Sequence, residues 1–67
     1  MVQVRVLFDG GDGNFYRLSL ADIHRGNSLA LDKYISKLEQ GGTQEEAQAL
    51  STKTLQDFTR LYGTLDA

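Results

Sequence analysis

Residues 8 to 16, FDGGDGNFY, place two carboxylates, an asparagine and three glycines between aromatic side chains. Oxygen ligands at that density raise two chemistries, a calcium loop and a phosphate cradle. An EF-hand loop needs oxygen donors at alternating positions, a glycine at the sixth and a bidentate glutamate at the twelfth. Counted from Asp12, the third position is Asn14, but the fifth is Tyr16, the sixth Arg17 and the twelfth Ile23, so the match ends after two ligands. The glycine-rich calcium repeat fails as well, because Phe15 stands where its aspartate belongs and there is one copy. Phosphate cradles set their glycines between a strand and a helix N-terminus. Here the glycines precede a strand pattern, and Asp9 and Asp12 would repel an anion.

Outside this stretch the reactive groups are scattered. His24 is the sole histidine and lies beside Arg25 on a connecting segment, where an exposed loop imidazole is the expectation. Ser19, Ser28, Ser36 and Ser51 have no base at a useful spacing, so nucleophilic catalysis has no support. With no cysteine and one histidine, disulfides and the usual zinc sites are excluded. The sequence therefore predicts no enzyme, no catalytic or metal residue and no cofactor.

The elements around FDGGDGNFY explain its glycines. Residues 2–8 alternate, with Val2, Val4, Val6 and Phe8 on one side and Gln3, Arg5 and Leu7 on the other. Residues 15–20 alternate again, Tyr16, Leu18 and Leu20 against Phe15, Arg17 and Ser19. Two strands of period two make a hairpin. Directly opposed residues of an antiparallel pair share a face, so the apolar sets must oppose each other. Phe8 then faces Tyr16, Val6 faces Leu18 and Val4 faces Leu20. A two-residue turn at Asp12-Gly13 would break this pairing. The register instead requires the three-residue loop Gly11-Asp12-Gly13, with Gly13 in the left-handed position.

After the hairpin, residues 21–27 read as a connector with a reversal at Gly26. A helix is expected over about 28–39, capped by Asn27 or Ser28, with Leu31, Tyr34, Ile35 and Leu38 at helical spacing. Gly41-Gly42 ends it. Thr43-Gln-Glu-Glu46 is a capping box for a second helix over about 44–62, stopped by Gly63. Its apolar positions include Ala47, Leu50, Leu55, Phe58, Leu61 and Tyr62. A 19-residue helix of about 28 Å outruns a 12-residue partner of about 18 Å, leaving an end to be covered. The expected fold is a single α+β domain spanning residues 1–67, in the order β-β-α-α.

At 67 residues such a chain buries only about 60% of its unfolded surface, so association is the expected compensation. Residues 1–37 carry five basic and four acidic side chains, and residues 38–67 carry two and five. That acidic second half argues against nucleic acid, although Arg5 and Arg17 flank Leu7 and Phe15 on the outward hairpin face. No apolar run approaches membrane length, and the chain reads as cytoplasmic.

The hairpin followed by LDKYISKLEQGG, over residues 15–42, resembles the hairpin and following helix of the small head-to-tail joining proteins of tailed phages. That family sets its other helix before the hairpin, and this chain sets it after, so no membership follows.

Taken together, the sequence predicts a non-enzymatic protein-binding module, a regulator or inhibitor of a larger partner, acting as a homodimer. An assembly subunit is the alternative, and a weak nucleic-acid binder a further one. Contact residues are expected at Arg5, Leu7, Phe15 and Arg17 on the outward sheet face, and at Phe58, Leu61 and Tyr62 near the end of the long helix. The unpaired edge of the first strand could pair with that of a second copy about a two-fold axis, or accept a strand from another protein.

Overall fold

The computed structural model describes residues 5–66. Val2, Gln3 and Val4, assigned above to the first strand, lie outside the described residues. Two strands, β1 (Arg5–Asp9) and β2 (Phe15–Ser19), form the hairpin. Their register is the one that the apolar faces demand: Val6 opposes Leu18, Phe8 opposes Tyr16, and Asp9 opposes Phe15. Gly10 N–H donates to the Asn14 carbonyl at 3.1 Å, closing the loop Gly11-Asp12-Gly13. Gly11 and Gly13 both take positive φ, 79° and 88°, which side chains resist.

The first helix starts earlier than expected. α1 runs Leu20–Glu39 directly from the strand, with no connector and no reversal at Gly26. Ser19 is the N-cap, its hydroxyl accepting from Asp22 N–H at 3.2 Å. Leu20, expected on the buried hairpin face, instead opens this helix and is exposed. Gly26 is buried at a helix crossing. A Cβ there would stand 2.9 Å from Phe58 Cδ1 and 3.2 Å from Leu55 Cδ1. Close approach between helices, rather than a turn, is what requires the glycine.

α1 ends in a Schellman arrangement. Gly42 N–H donates to the Lys37 carbonyl, Gly41 N–H to that of Leu38, and Gly41 has φ 88°. The second helix, α2 (Gln44–Tyr62), begins with the expected capping box, in which Thr43 and Glu46 satisfy each other's backbone donors. At 20 and 19 residues the helices match in length, so the anticipated overhang of one past the other does not exist.

A third strand, β3 (Thr64–Leu65), follows α2 and was not foreseen. It pairs antiparallel with β2, giving the order β1-β2-β3. Gly63 admits it while keeping an extended φ of −77°. A Cβ on Gly63 would meet the Thr59 carbonyl oxygen at 2.5 Å and Tyr16 Cβ at 2.8 Å.

The core is small: Leu18, Ala30, Ala47 and Phe58 are buried, with Thr59 returning its hydroxyl to the Leu55 carbonyl at 2.8 Å. α1 packs on the Leu55 and Phe58 side of α2. The sheet packs on the side carrying Gln56, Arg60 and Gly63. Because the sheet engages the C-terminal part of α2, the far part of the helical hairpin has little besides itself to pack on. The radius of gyration is 13.0 Å, against about 11 Å for a compact chain of this length. Accessible surface is 4887 Å², where a monomer of this mass would show about 4,200 Å².

Candidate protein-binding surface

The hairpin tip is a folded corner built from its own donors and acceptors. Asp9 Oδ1 accepts from Gly11 N–H at 2.9 Å, and Asp12 Oδ1 from Asn14 N–H at 3.1 Å. The Tyr16 hydroxyl donates to Asp12 Oδ2 at 2.6 Å. That bond holds the Asp12 carboxyl below the usual carboxylate range and pushes the Tyr16 phenol up. Each carboxylate is thus engaged by the turn. Among the described residues no three His, Cys, Asp or Glu side chains gather as a metal-binding group.

Nor is the tip a free loop. The Arg60 guanidinium donates to the Gly10 carbonyl across 50 positions of sequence. Gly10 is buried, and a Cβ on it would fall 2.4 Å from Tyr16 Cε1 and 3.0 Å from Arg60 Cγ. Gly11 rests on the Gln56 amide. Two of the stretch's three glycines, Gly10 and Gly11, therefore answer to α2 as well as to the hairpin.

Of the expected contact residues, Leu7, Phe15 and Arg17 do share the outward sheet face, as the pairs Leu7 with Arg17 and Asp9 with Phe15 require. Leu7 is 50% exposed and Phe15 56%. Arg5 opens β1 opposite Ser19, and its side chain lies outside what the structure describes. Arg17 is not a free cation. Its Nε and a terminal nitrogen reach Asp66 Oδ1 at 2.9 and 2.7 Å, fastening β3 to β2. With Asp9 and Asp66 on the same face, little net positive charge remains there for a phosphate backbone.

Phe58 belongs to the core, not to a contact surface. It is 6% exposed, wedged against Gly26, with the Tyr62 ring centroid 4.6 Å from its own. The Arg25 guanidinium lies 5.4 Å from the Tyr62 centroid and 5.8 Å from that of Phe58. Tyr62 is exposed but held by this stack. Leu61, at 73% exposure, points to solvent.

A further exposed apolar surface lies on α1, among the residues read above at helical spacing. Leu31, Ile35 and Leu38 recur along α1 at the spacing of one helical face, and all three are between 41 and 57% exposed. Beside them runs a groove of about 470 Å³ lined by Asn27, Ala30, Leu31 and Tyr34 from α1 and by Ser51 and Leu55 from α2. Periodicity found the stripe, and the structure leaves it uncovered among the described residues. His24 sits on α1 rather than on a loop, and is exposed. No helix among the described residues is long and apolar enough to cross a membrane.

Comparison of the chain with protein-family models, with curated proteins and with solved structures finds no match.

Proposed function

We propose that this chain is a non-enzymatic protein-binding module, a cytoplasmic regulator or inhibitor that acts as a homodimer by occupying a surface of a larger protein. The observation that carries the reading is the continuous apolar stripe Leu31, Ile35 and Leu38 beside the interhelical groove. Such a face suits an amphipathic helix of the partner, which would lay its own apolar residues into the groove.

The test compares the intact chain with Ile35→Glu as baits for host lysate, read by quantitative mass spectrometry. The reading expects a protein held in near-stoichiometric amount by the wild type and about tenfold less by the variant, a loss of about 1.4 kcal/mol. Both baits should give the same helical circular dichroism. Equal retention by the two would overturn it.

A second reading, an assembly subunit, draws support from the presence of two separate uncovered surfaces, the β1 edge and the α1 stripe. It predicts species larger than a dimer in sedimentation velocity as concentration rises.

A further inference from the structure

We infer that β1 is the seat of the second copy, pairing antiparallel with its own equivalent about a two-fold axis at Leu7. This rests on the homodimer reading above and specifies its geometry. In the order β1-β2-β3, the outer side of β2 is taken by β3, with Asp66 N–H donating to the Phe15 carbonyl at 3.0 Å. β1 has a neighbour on one side alone, so among the described residues its outer edge is the long unpaired one.

The pattern of hydrogen bonds decides which backbone groups that edge presents. Gly10 and Asn14 are a hydrogen-bonded pair. Alternation along an antiparallel ladder then makes Phe8 with Tyr16 and Val6 with Leu18 hydrogen-bonded, and the pairs of Asp9, Leu7 and Arg5 not so. The N–H and C=O groups of Arg5, Leu7 and Asp9 therefore point away from β2. A second strand must match odd positions to odd positions.

Few two-fold registers meet that condition, and charge separates them. An axis at Leu7 opposes Leu7 to Leu7 of the second copy and Arg5 to its Asp9, with Val6 against Phe8 on the other face. All five residues of β1 are paired, and opposite charges stand directly across from each other, the favourable cross-strand case. Sliding by one residue either way puts Leu7 opposite a charge, Arg5 or Asp9, and breaks the pairing of opposite charges. A slide by two sets Arg5 against Arg5 or Asp9 against Asp9, which is repulsive. The paired sheet would place both copies of Leu7 at its centre and join the two outward faces that carry Phe15 and Arg17.

The absence of native cysteine makes the register directly testable. In a hydrogen-bonded antiparallel pair the opposed Cα atoms are about 5.5 Å apart, within disulfide reach. Leu7→Cys should form a disulfide-linked dimer under mild oxidation. Arg5→Cys and Asp9→Cys should each crosslink poorly alone but efficiently when mixed. In sedimentation equilibrium, Arg5→Glu should raise the dimer dissociation constant about tenfold, and the reciprocal exchange Arg5→Glu with Asp9→Arg should restore it. A wild type that dimerises while Leu7→Cys fails to crosslink, or while Ile35→Glu abolishes the dimer and Arg5→Glu does not, overturns this register and leaves a homodimer standing. A single 7.4 kDa species at every concentration overturns both this proposal and the homodimer.

Discussion

The Tyr16 hydroxyl donates to Asp12 Oδ2 at 2.6 Å, so the second strand of the hairpin grips the tip of the turn that produced it. The bond favours the charged carboxylate and the protonated phenol, lowering the Asp12 pKa and raising that of Tyr16. Linkage gives the two groups opposite pH windows. The Asp12 contribution is complete above the usual carboxylate range and lost as pH falls through its lowered value. That of Tyr16 is complete below the usual phenol range and lost as pH rises through its raised value. Tyr16→Phe should return the Asp12 carboxyl toward its ordinary titration in NMR and flatten stability at both extremes. An unchanged Asp12 titration would contradict the bond.

Gly26→Ala tests the helix crossing by setting two effects against each other. Alanine improves helix propensity by about 1 kcal/mol. Against this, its Cβ would stand 2.9 Å from the Phe58 ring, and overpacking of a filled site costs about 1 to 3 kcal/mol. The expectation is a net loss of about 1 kcal/mol, read as a lower urea midpoint. A rise in the midpoint would mean that the helices can move apart freely.

Phe58 and Leu61 are three residues apart on one helix and should behave oppositely. Phe58→Ala removes about 3 to 5 kcal/mol from a chain whose total stability is about 3 to 10 kcal/mol, a large share of the whole. Leu61→Ala, at an exposed position, should stay within about 0.5 kcal/mol. Thermal unfolding of the pair decides between core and surface for each.

At the start of α2, Thr43→Ala should cost about 1 kcal/mol through loss of the cap. The Thr43 backbone N–H, its hydroxyl and then Lys37 hold the Glu46 carboxyl below the usual range. A depressed carboxylate stabilises above that range, and the effect fades as pH falls through the lowered value. The variant should therefore show a shallower acid limb in its stability profile as well as a lower midpoint at neutral pH.

What the sequence disclosed follows the range of the forces involved. The hairpin register and the capping box are local, and both could be read from parity and spacing. The Ser19-Leu-Ala-Asp22 pattern was a start signal for α1 that stood in plain view. Gly26 outweighed it, because a glycine looks like a turn until Phe58 is known to press against it. β3 is two residues long, with no period to detect, and is held by Arg17 reaching Asp66 from 49 positions away. The docking of the hairpin tip on Arg60 is equally nonlocal. As for the candidate surface, Leu7 and Phe15 were legible as apolar residues on the polar side of a strand. The exposure of Leu31, Ile35 and Leu38 was not, since their helical spacing is the same whether or not the chain covers them.

Thr64 and Leu65, laid along β2, cover one side of that strand. A particle with a single adhesive side closes into a pair and then has nothing left to offer. One with two such sides joins head to tail and grows into a ribbon without limit. On the edge-to-edge pairing proposed above, Thr64 and Leu65 leave β1 as the one long open edge among the described residues, and stripping them away would bare β2 as a second.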